Sequence, residues 1–250
     1  MKIIRGSLTV LTTFLALGSF GANAVGQERP LVADPSRVVQ QFTINDGSAL
    51  TALLELGSSN AVPMGFVLSD KRLCDQRIEG SWRGKSVADL LDRLTTNTGY
   101  RWGVKGGVVT IEPLIVPQAT SQLLRMTIPR YAAPAGTSKA QGLYLWMNIR
   151  GVLKPTEGTA LNILSSPEEA TFPALDIRNT SVESILNHFS TRKGGGVYVV
   201  FPLGDNLRRA ADAPPFSVAN YQDFARIRAM SCTDQDSSIV AASKTKMATP

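Results

Sequence analysis

An amphipathic unit that occurs twice, 95 residues apart, limits the possible folds of this sequence more than any other feature. In each copy a serine, Ser86 or Ser181, precedes apolar residues at positions i, i+3, i+4 and i+7, which line one face of a helix. A glycine follows each stripe at the same distance, as Gly99 and Gly194. The chain is therefore predicted to contain two related units. The stripes consist of Val87, Leu90, Leu91 and Leu94 in the first copy and of Val182, Ile185, Leu186 and Phe189 in the second.

Side-chain caps are predicted at the start of both helices. Ser86 and Asp89 have the spacing of a capping box, in which a hydroxyl and a carboxylate each accept a hydrogen bond from a free backbone amide. Thr180 and Glu183 have the same spacing at the start of the second copy. These two pairs predict where the helices begin.

Short strands flank both helices. Residues 78–83 and 100–104 alternate between polar residues and apolar or small ones, as half-buried strands do. Gly106 and Gly107 then form a two-residue hairpin turn before a return strand, and residues 175–178 and 197–201 are the matching strands of the second copy. Further strands are predicted at 42–44, 64–68, 124–128 and 160–164, and further helices at 50–56 and 138–153. The pattern predicts an α+β fold of two small βαβ-βαβ modules, each with helices packed on a short mixed sheet.

The N-terminus has the pattern of a secretory signal peptide. Lys2 and Arg5 precede an apolar run, and Ala22 and Ala24 form a small-x-small cleavage site. That run is shorter than the roughly 20 apolar residues of a membrane span, and no later stretch is long enough, so no integral membrane segment is expected after cleavage. The predicted divisions are a signal peptide at 1–24, a linker at 25–41, the first module at 42–113, a linker at 114–122, the second module at 123–202 and a mostly disordered tail at 203–250.

The charge distribution and the two cysteines limit which ligands and sites are expected. The formal net charge of +6 is spread along the chain, whereas nucleic-acid-binding proteins concentrate basic residues on one face, so no nucleic-acid partner is expected. Cys74 and Cys232 either form a disulfide, which an exported chain permits, or stay as two separate thiols. No C-x-x-C spacing favours a redox or zinc site, and we predict neither a cofactor nor a metal site.

Residues 42–113 resemble the short N-terminal domain shared by secretins and TonB-dependent transducers of the Gram-negative outer membrane. The resemblance depends on the predicted helix at 50–56, the strand at 64–68 and the stretch IEGSWRGKSVADLLDRLTTNTGYRWGVKGGVVTIEP at 78–113. In that family a glycine-containing strand leads into a helix that begins at a small polar residue, and a final hairpin strand ends near proline. The second module is similar in outline to the periplasmic repeats that follow this domain.

The resemblance implies a protein-protein adaptor, because such modules bind inner-membrane regulators or secretion platforms. We therefore expect a non-enzymatic protein in the periplasm or at the outer membrane, with a partner from a secretion, pilus or TonB-linked signalling system. The chain lacks the many alternating strands of a secretin pore or a transporter barrel, so transport and channel formation are not expected, and the oligomeric state is left open. The candidate interaction surface consists of the charged positions Arg83, Lys85, Asp89, Asp92, Arg93 and Arg101.

Two other kinds of function have weaker support. The single histidine, His188, lies beside the apolar stripe without an accompanying serine or cysteine motif, so no catalytic residue is predicted. Trp82, Trp102 and Trp146 suggest a peptidoglycan- or glycan-binding alternative, in which aromatic rings stack on sugars. Strand alternation places Trp82 and Trp102 on the inward side, which favours burial under the helices.

Overall fold

The first half of the protein alternates strands with helices and closes with a hairpin. The computed structural model describes residues 30–151, 171–192, 196–201 and 215–220 together with Cys232. The elements of the first half are β1 (Val38–Ser48), α1 (Ala49–Ser59), β2 (Met64–Val67), α2 (Arg72–Asp75), β3 (Arg77–Ser86), α3 (Val87–Thr95), β4 (Tyr100–Lys105) and β5 (Val108–Pro113).

The second half follows the same scheme, with a helix added at its start. The helix that precedes its final pair of described strands begins directly after a strand, as α3 does. The described elements are α4 (Gln118–Arg125), β6 (Thr127–Ala133), β7 (Gly136–Thr137), α5 (Ser138–Ile149), β8 (Thr171–Phe172), β9 (Leu175–Ser181), α6 (Val182–Ser190), β10 (Gly196–Val200) and β11 (Phe216–Asn220).

A hydroxyl side chain caps each of the four helices that begin directly after a strand. Ser48, Ser86, Thr137 and Ser181 each accept a hydrogen bond from the backbone amide three residues later. The capping box predicted at Ser86 is present, because the Asp89 carboxylate also accepts from the Ser86 amide at 3.1 Å. The second predicted box is wrong by one residue: Ser181 is the cap, and its partner is the amide of Ser184.

One five-stranded sheet runs through the middle of the molecule, with strand order β11-β10-β2-β5-β4. Strands β10, β2 and β5 are parallel to one another, whereas β11 and β4 are antiparallel to their neighbours at the two ends. The sheet has one apolar core on each face, because successive side chains of a strand point to opposite faces. Along β10, for example, Val197 and Val199 join the first core, whereas Tyr198 and Val200 join the second.

Each core is closed on its outer side by a two-stranded antiparallel sheet. Strands β1 and β3 cover the first core, which contains α1 and α3, and strands β6 and β9 cover the second core, which contains α5 and α6. Helix α3 packs against both β3 and β4, and α6 packs against both β9 and β10. Each half therefore places its helices between a two-stranded sheet and the central sheet.

The predicted α+β class is confirmed. Nothing in the sequence indicated that the two halves would share a sheet: β10, from the second half, pairs in parallel with β2, from the first. The segments 114–122 and 25–41, predicted to be linkers, contain part of α4 and the first residues of β1. The tail predicted at 203–250 contains β11, which pairs with β10.

Other predicted elements shift or fall outside the described residues. The strand predicted at 124–128 begins later, since β6 runs from Thr127 to Ala133, and the helix predicted at 138–153 ends at Ile149. The signal peptide and the strand predicted at 160–164 lie outside the described residues. None of the described helices combines the length and the apolar character needed to cross a bilayer.

Candidate interaction surface

The six charged residues of the candidate surface lie on three consecutive elements of the first half. Strand β3 carries two of them, α3 carries three and β4 carries one. All are exposed except Lys85, which is partly exposed. The hydrogen bond from Trp102 Nε1 on β4 to Asp92 Oδ1 on α3, at 2.7 Å, joins two of these elements. Trp102 packs on the first core with α3, so the neighbouring Arg101 points to the opposite face of the central sheet.

The two aspartates of this surface have structural partners. Asp89 closes the capping box, and hydrogen bonds from the Ser86 side chain and amide lower the pKa of its carboxyl group, with smaller contributions from Lys85 and Arg93. Asp92 accepts the hydrogen bond from the Trp102 indole. Both carboxylates are therefore already engaged within the fold.

The basic residues on β3 and α3 are less constrained. Within the described residues, the side chains of Arg83 and Arg93 make no hydrogen bond or ion pair, and Lys85 and Arg93 act on Asp89 only through their charge. We call Arg83, Lys85 and Arg93 the basic face. Exposed charges of this kind change the rate of association and its salt dependence more than they change affinity.

Arg101 differs from the other five residues because it belongs to a partly buried charge cluster. Its guanidinium donates to Glu112 Oε1 from Nε at 3.0 Å and from Nη2 at 2.8 Å, across the hairpin from β4 to β5. Lys105 Nζ donates to the other oxygen of Glu112 at 2.7 Å. Glu112 is only 8% exposed, and burial alone would raise its pKa, but the hydrogen bonds from Lys105 and Arg101 outweigh burial and lower it.

The same cluster connects the two halves. Lys105 Nζ lies 3.4 Å from a carboxylate oxygen of Glu183 on α6, and Asn187 Nδ2 donates to the backbone oxygen of Lys105 at 3.1 Å. Burial alone would lower the pKa of Lys105, but its interactions with Glu112 and Glu183 outweigh burial. The net effect raises the pKa, so the ammonium stays charged. The hairpin of β4 and β5 is thus fixed against α6.

Sequence reasoning selected Arg101 but missed Glu112, Lys105 and Glu183. The pair of Arg101 with Glu112 had a usable signal: a two-residue turn at Gly106 and Gly107 makes Lys105 pair with Val108, and counting back pairs 101 with 112. Glu183 had none, because its contact with Lys105 depends on how α6 packs against the first half.

The tryptophans lie within or against the cores. Trp146 is buried, and its ring meets that of Phe216 edge to face, with centroids 6.3 Å apart. Trp82 is half-buried and stacks on Phe42, with centroids 5.9 Å apart. Trp102 is also half-buried, and its indole N–H is engaged by Asp92.

The single histidine, on α6, lies near a partly buried arginine that follows this helix. The Arg192 guanidinium carbon is 4.8 Å from the ring centroids of both Phe172 and Phe189, and Nη1 donates to Gln141 Oε1 at 2.6 Å. Burial lowers the pKa of Arg192 to about 10, so the guanidinium keeps its charge. Partial burial and the nearby Arg192 charge lower the pKa of His188, which favours the neutral imidazole at neutral pH.

The two cysteines form a disulfide, which resolves the alternative that the sequence left open. The bridge joins Cys74, on α2, to Cys232, with 5.6 Å between the Cα atoms. Both residues pack against the first core, so the bridge holds a residue near the C-terminus against the first half. A disulfide is compatible with an oxidising compartment. In the described parts of the chain, no cluster of three or more histidine, cysteine or acidic side chains is arranged to hold a metal ion.

The structure thus divides the six candidate residues into two groups. Asp89, Asp92 and Arg101 are tied to partners within the fold, whereas the basic face is left to solvent. Comparison with known proteins adds no further assignment. No protein-family model matches this chain, and no curated protein matches it.

Proposed function

We propose that this chain is a non-enzymatic adaptor of the Gram-negative cell envelope, which binds another envelope protein of a secretion, pilus or TonB-linked signalling system. The observation that carries the proposal is how residues 78–113 divide between core and surface. The apolar stripe of α3 is buried, while Arg83 and Arg93 of the basic face are exposed and Lys85 is partly exposed. Helix α3 packs against β4, an end strand of the central sheet. Such a surface suits recognition of another protein.

The proposal draws on the resemblance of residues 78–113, whose local features have these positions in the fold. Strand β3 contains Gly80 and Gly84 and leads into α3, whose N-cap is the small polar residue Ser86. Leu91, in the apolar pair of α3, is fully buried, and the hairpin ends with β5 at Pro113. These are the features that the sequence shares with the short N-terminal domain of secretins and transducers. The disulfide fits an exported protein but does not specify the compartment.

Site-specific photo-crosslinking in the envelope tests the proposal. A photoreactive residue is placed at Arg83 or at Arg93 of the full chain, and the matched control is the exposed Lys139 on α5. We expect one envelope protein to be captured from both basic-face positions and not from Lys139. Arg93→Glu in the chain with the probe at Arg83, and Arg83→Glu in the chain with the probe at Arg93, should each reduce capture most at low salt, because the reversed charge then repels an acidic partner surface with least screening. Failure to capture any protein above background at either position would contradict the proposal.

A further inference from the structure

Strand β4 is the end strand of the central sheet, and one of its sides pairs with no described strand. The two-residue turn at Gly106 and Gly107 fixes which backbone groups face outward. Lys105 flanks the turn and exchanges hydrogen bonds with Val108, so the alternate residues Trp102 and Val104 direct their N–H and C=O groups away from β5. Among the residues that the structure describes, the β4 edge is therefore a short row of backbone donors and acceptors without a strand partner.

The β4 edge is regular, unlike the strands of the two outer sheets. The pairing of β1 with β3 is interrupted between Ile44 and Gly47, and Gly84 of β3 has a φ of 60°. Strand β6 contains Pro129, and Asn179 of β9 has a φ of 48°. Prolines, bulges and irregular residues keep strand edges from pairing with other chains. In contrast, β4 keeps an uninterrupted register with β5 over six residue pairs.

The second half contains the same edge, and there it is filled. Strand β10 also follows a helix and pairs antiparallel with the next strand, and like β4 it has an aromatic third residue, Tyr198 against Trp102. Its other side pairs in parallel with β2, where Tyr198 lies opposite Gly65 and Val199 opposite Phe66. The molecule thus shows what kind of strand such an edge accepts: a parallel one that alternates small and large apolar residues.

The fourth residue of β4 leaves a gap that a partner side chain would fill. Gly103 has no atom within 4 Å of the position where a Cβ would lie. Strand alternation places Arg101 and Lys105 on the same face, one on each side of Gly103. In the register of β2 against β10, Phe66 lies opposite the fourth residue. A strand bound to β4 in that register would place an aromatic ring over Gly103 and between two cations, where cation–π attraction adds to packing.

A second copy of this chain fits the β4 edge poorly. Two β4 strands paired antiparallel around Gly103 would place glycine opposite glycine and leave the gap open. They would also place Arg101 of one copy opposite Lys105 of the other, and like charges directly opposite one another destabilise a strand pair. Both mismatches disappear when the added strand carries an aromatic residue at this position.

We propose that β4 binds an extended segment of a partner protein as an added parallel strand, with an aromatic side chain over Gly103 between Arg101 and Lys105. The inference rests on the proposed function, because it names the kind of segment that an adaptor partner would supply. Backbone hydrogen bonds from Trp102 and Val104 provide the attachment, and the ring over Gly103 provides the specificity.

The test uses a peptide with the sequence VPMGFVLSD, which copies residues 62–70, titrated into the isotope-labelled full chain. We expect amide shifts at Trp102 and Val104, and binding at least about tenfold weaker in Val104→Pro, which loses an outward backbone donor. The matched control is Val104→Thr, which keeps the amide and the branched shape and should bind within about twofold of wild type. A second peptide carries serine in place of Phe66, and Gly103→Val, which fills the gap, should bind the two peptides equally.

Several outcomes would overturn the inference: no peptide binding, shifts at β10 in place of β4, or equal affinity for wild type, Val104→Pro and Gly103→Val. The envelope experiment separates this failure from that of the adaptor proposal. A partner captured at Arg93 by wild type and equally by Val104→Pro would keep the adaptor function and refute the β4 site. Capture lost in Val104→Pro and kept in Val104→Thr would support both. If no partner is captured, the adaptor proposal fails and the peptide titration alone decides whether β4 accepts a strand.

Discussion

One added methyl group in the central sheet should have opposite effects at two glycines. Gly65 lies on β2, and a Cβ at this position would collide with Cε1, Cζ and Oη of the buried Tyr198 on β10. Gly103 lies on β4 in the same sheet, and a Cβ there would meet no atom within 4 Å. Neither glycine has a positive φ, so alanine can adopt both backbone conformations. We expect Gly65→Ala to be the less stable variant.

The comparison of the two variants isolates the cost of the collision. Replacing glycine by alanine in a compatible conformation stabilises a protein by about 0.4–1 kcal/mol, because the unfolded chain loses freedom. That gain applies to both variants and cancels in their difference. Overpacking a close-packed interior costs about 1–3 kcal/mol, and a collision with two ring carbons and the hydroxyl oxygen of a buried tyrosine belongs at the upper end. The free energy of unfolding of Gly65→Ala should therefore be about 3 kcal/mol lower than that of Gly103→Ala.

Urea unfolding followed by tryptophan fluorescence measures the difference, and a third substitution checks its cause. Tyr198→Leu removes the three atoms that a Cβ on Gly65 would meet. In that background the two alanine variants should have nearly equal free energies of unfolding, which is a double-mutant cycle with a predicted sign. If Gly65→Ala proved as stable as Gly103→Ala in the wild-type background, Tyr198 would not lie over Gly65. The shared sheet in the register described would then be refuted.

Three further substitutions test single features of the fold by the same unfolding measurement. Ser86→Ala removes the cap of α3 and should cost about 1 kcal/mol, whereas Ser58→Ala, at an exposed position of α1, should change stability little. Glu112→Gln weakens the cluster beneath β4 and should also cost about 1 kcal/mol at neutral pH, because its partners Arg101 and Lys105 are largely solvated. Cys232→Ser opens a disulfide that spans 158 residues and should cost about 2–4 kcal/mol, and a reductant should add no further loss.

The results that would contradict these expectations differ for each variant. Because the pKa of Glu112 is lowered from 4.5 by folding, its contribution is complete above that pH and is lost as the pH falls through the lowered value. The stability gap between wild type and Glu112→Gln should therefore close in acid, and a gap that widened would be inconsistent with the cluster. Equal losses for Ser86→Ala and Ser58→Ala would argue against the cap. If a reductant destabilised Cys232→Ser further, the Cys74–Cys232 bridge would not account for the whole effect of reductant on stability.

Local patterns predicted the helices well. Helices α3 and α6 begin at Val87 and Val182, as the repeated stripe indicated, because a stripe and its cap involve residues within two turns of one another. The second capping box was misplaced by one residue: the hydroxyl of Ser181, which aligns with Ser86, caps α6 and accepts from the amide of Ser184. The carboxylate of Glu183 makes an ion pair with Lys105 of the first half, a contact that the local pattern does not encode.

Contacts between distant segments could not be predicted from one sequence. A parallel pair such as β2 and β10 needs no turn motif, so no short stretch of the chain announces it. Strand β11 lies in a region whose composition resembles a disordered tail, and its pairing with β10 gives it structure. Local and distant contacts also differ at the candidate surface. The register of the hairpin, counted from its turn, would have identified Glu112 as the partner of Arg101. The hydrogen bond from Trp102 to Asp92, in contrast, depends on how α3 packs on β4.

The parallel pair of β2 and β10 also decides when the chain can finish folding. Val197 follows its partner Met64 by 133 residues, so this contact requires closure of a long loop and forms slowly compared with a helix or a hairpin. Until β10 arrives, β2 presents an apolar strand with one side unpaired, which is the kind of species that aggregates during biosynthesis. A chain cut short before Gly196 would keep α1 and α3 yet lack the strand that protects β2. Such a truncated chain is expected to associate with itself or to require a chaperone.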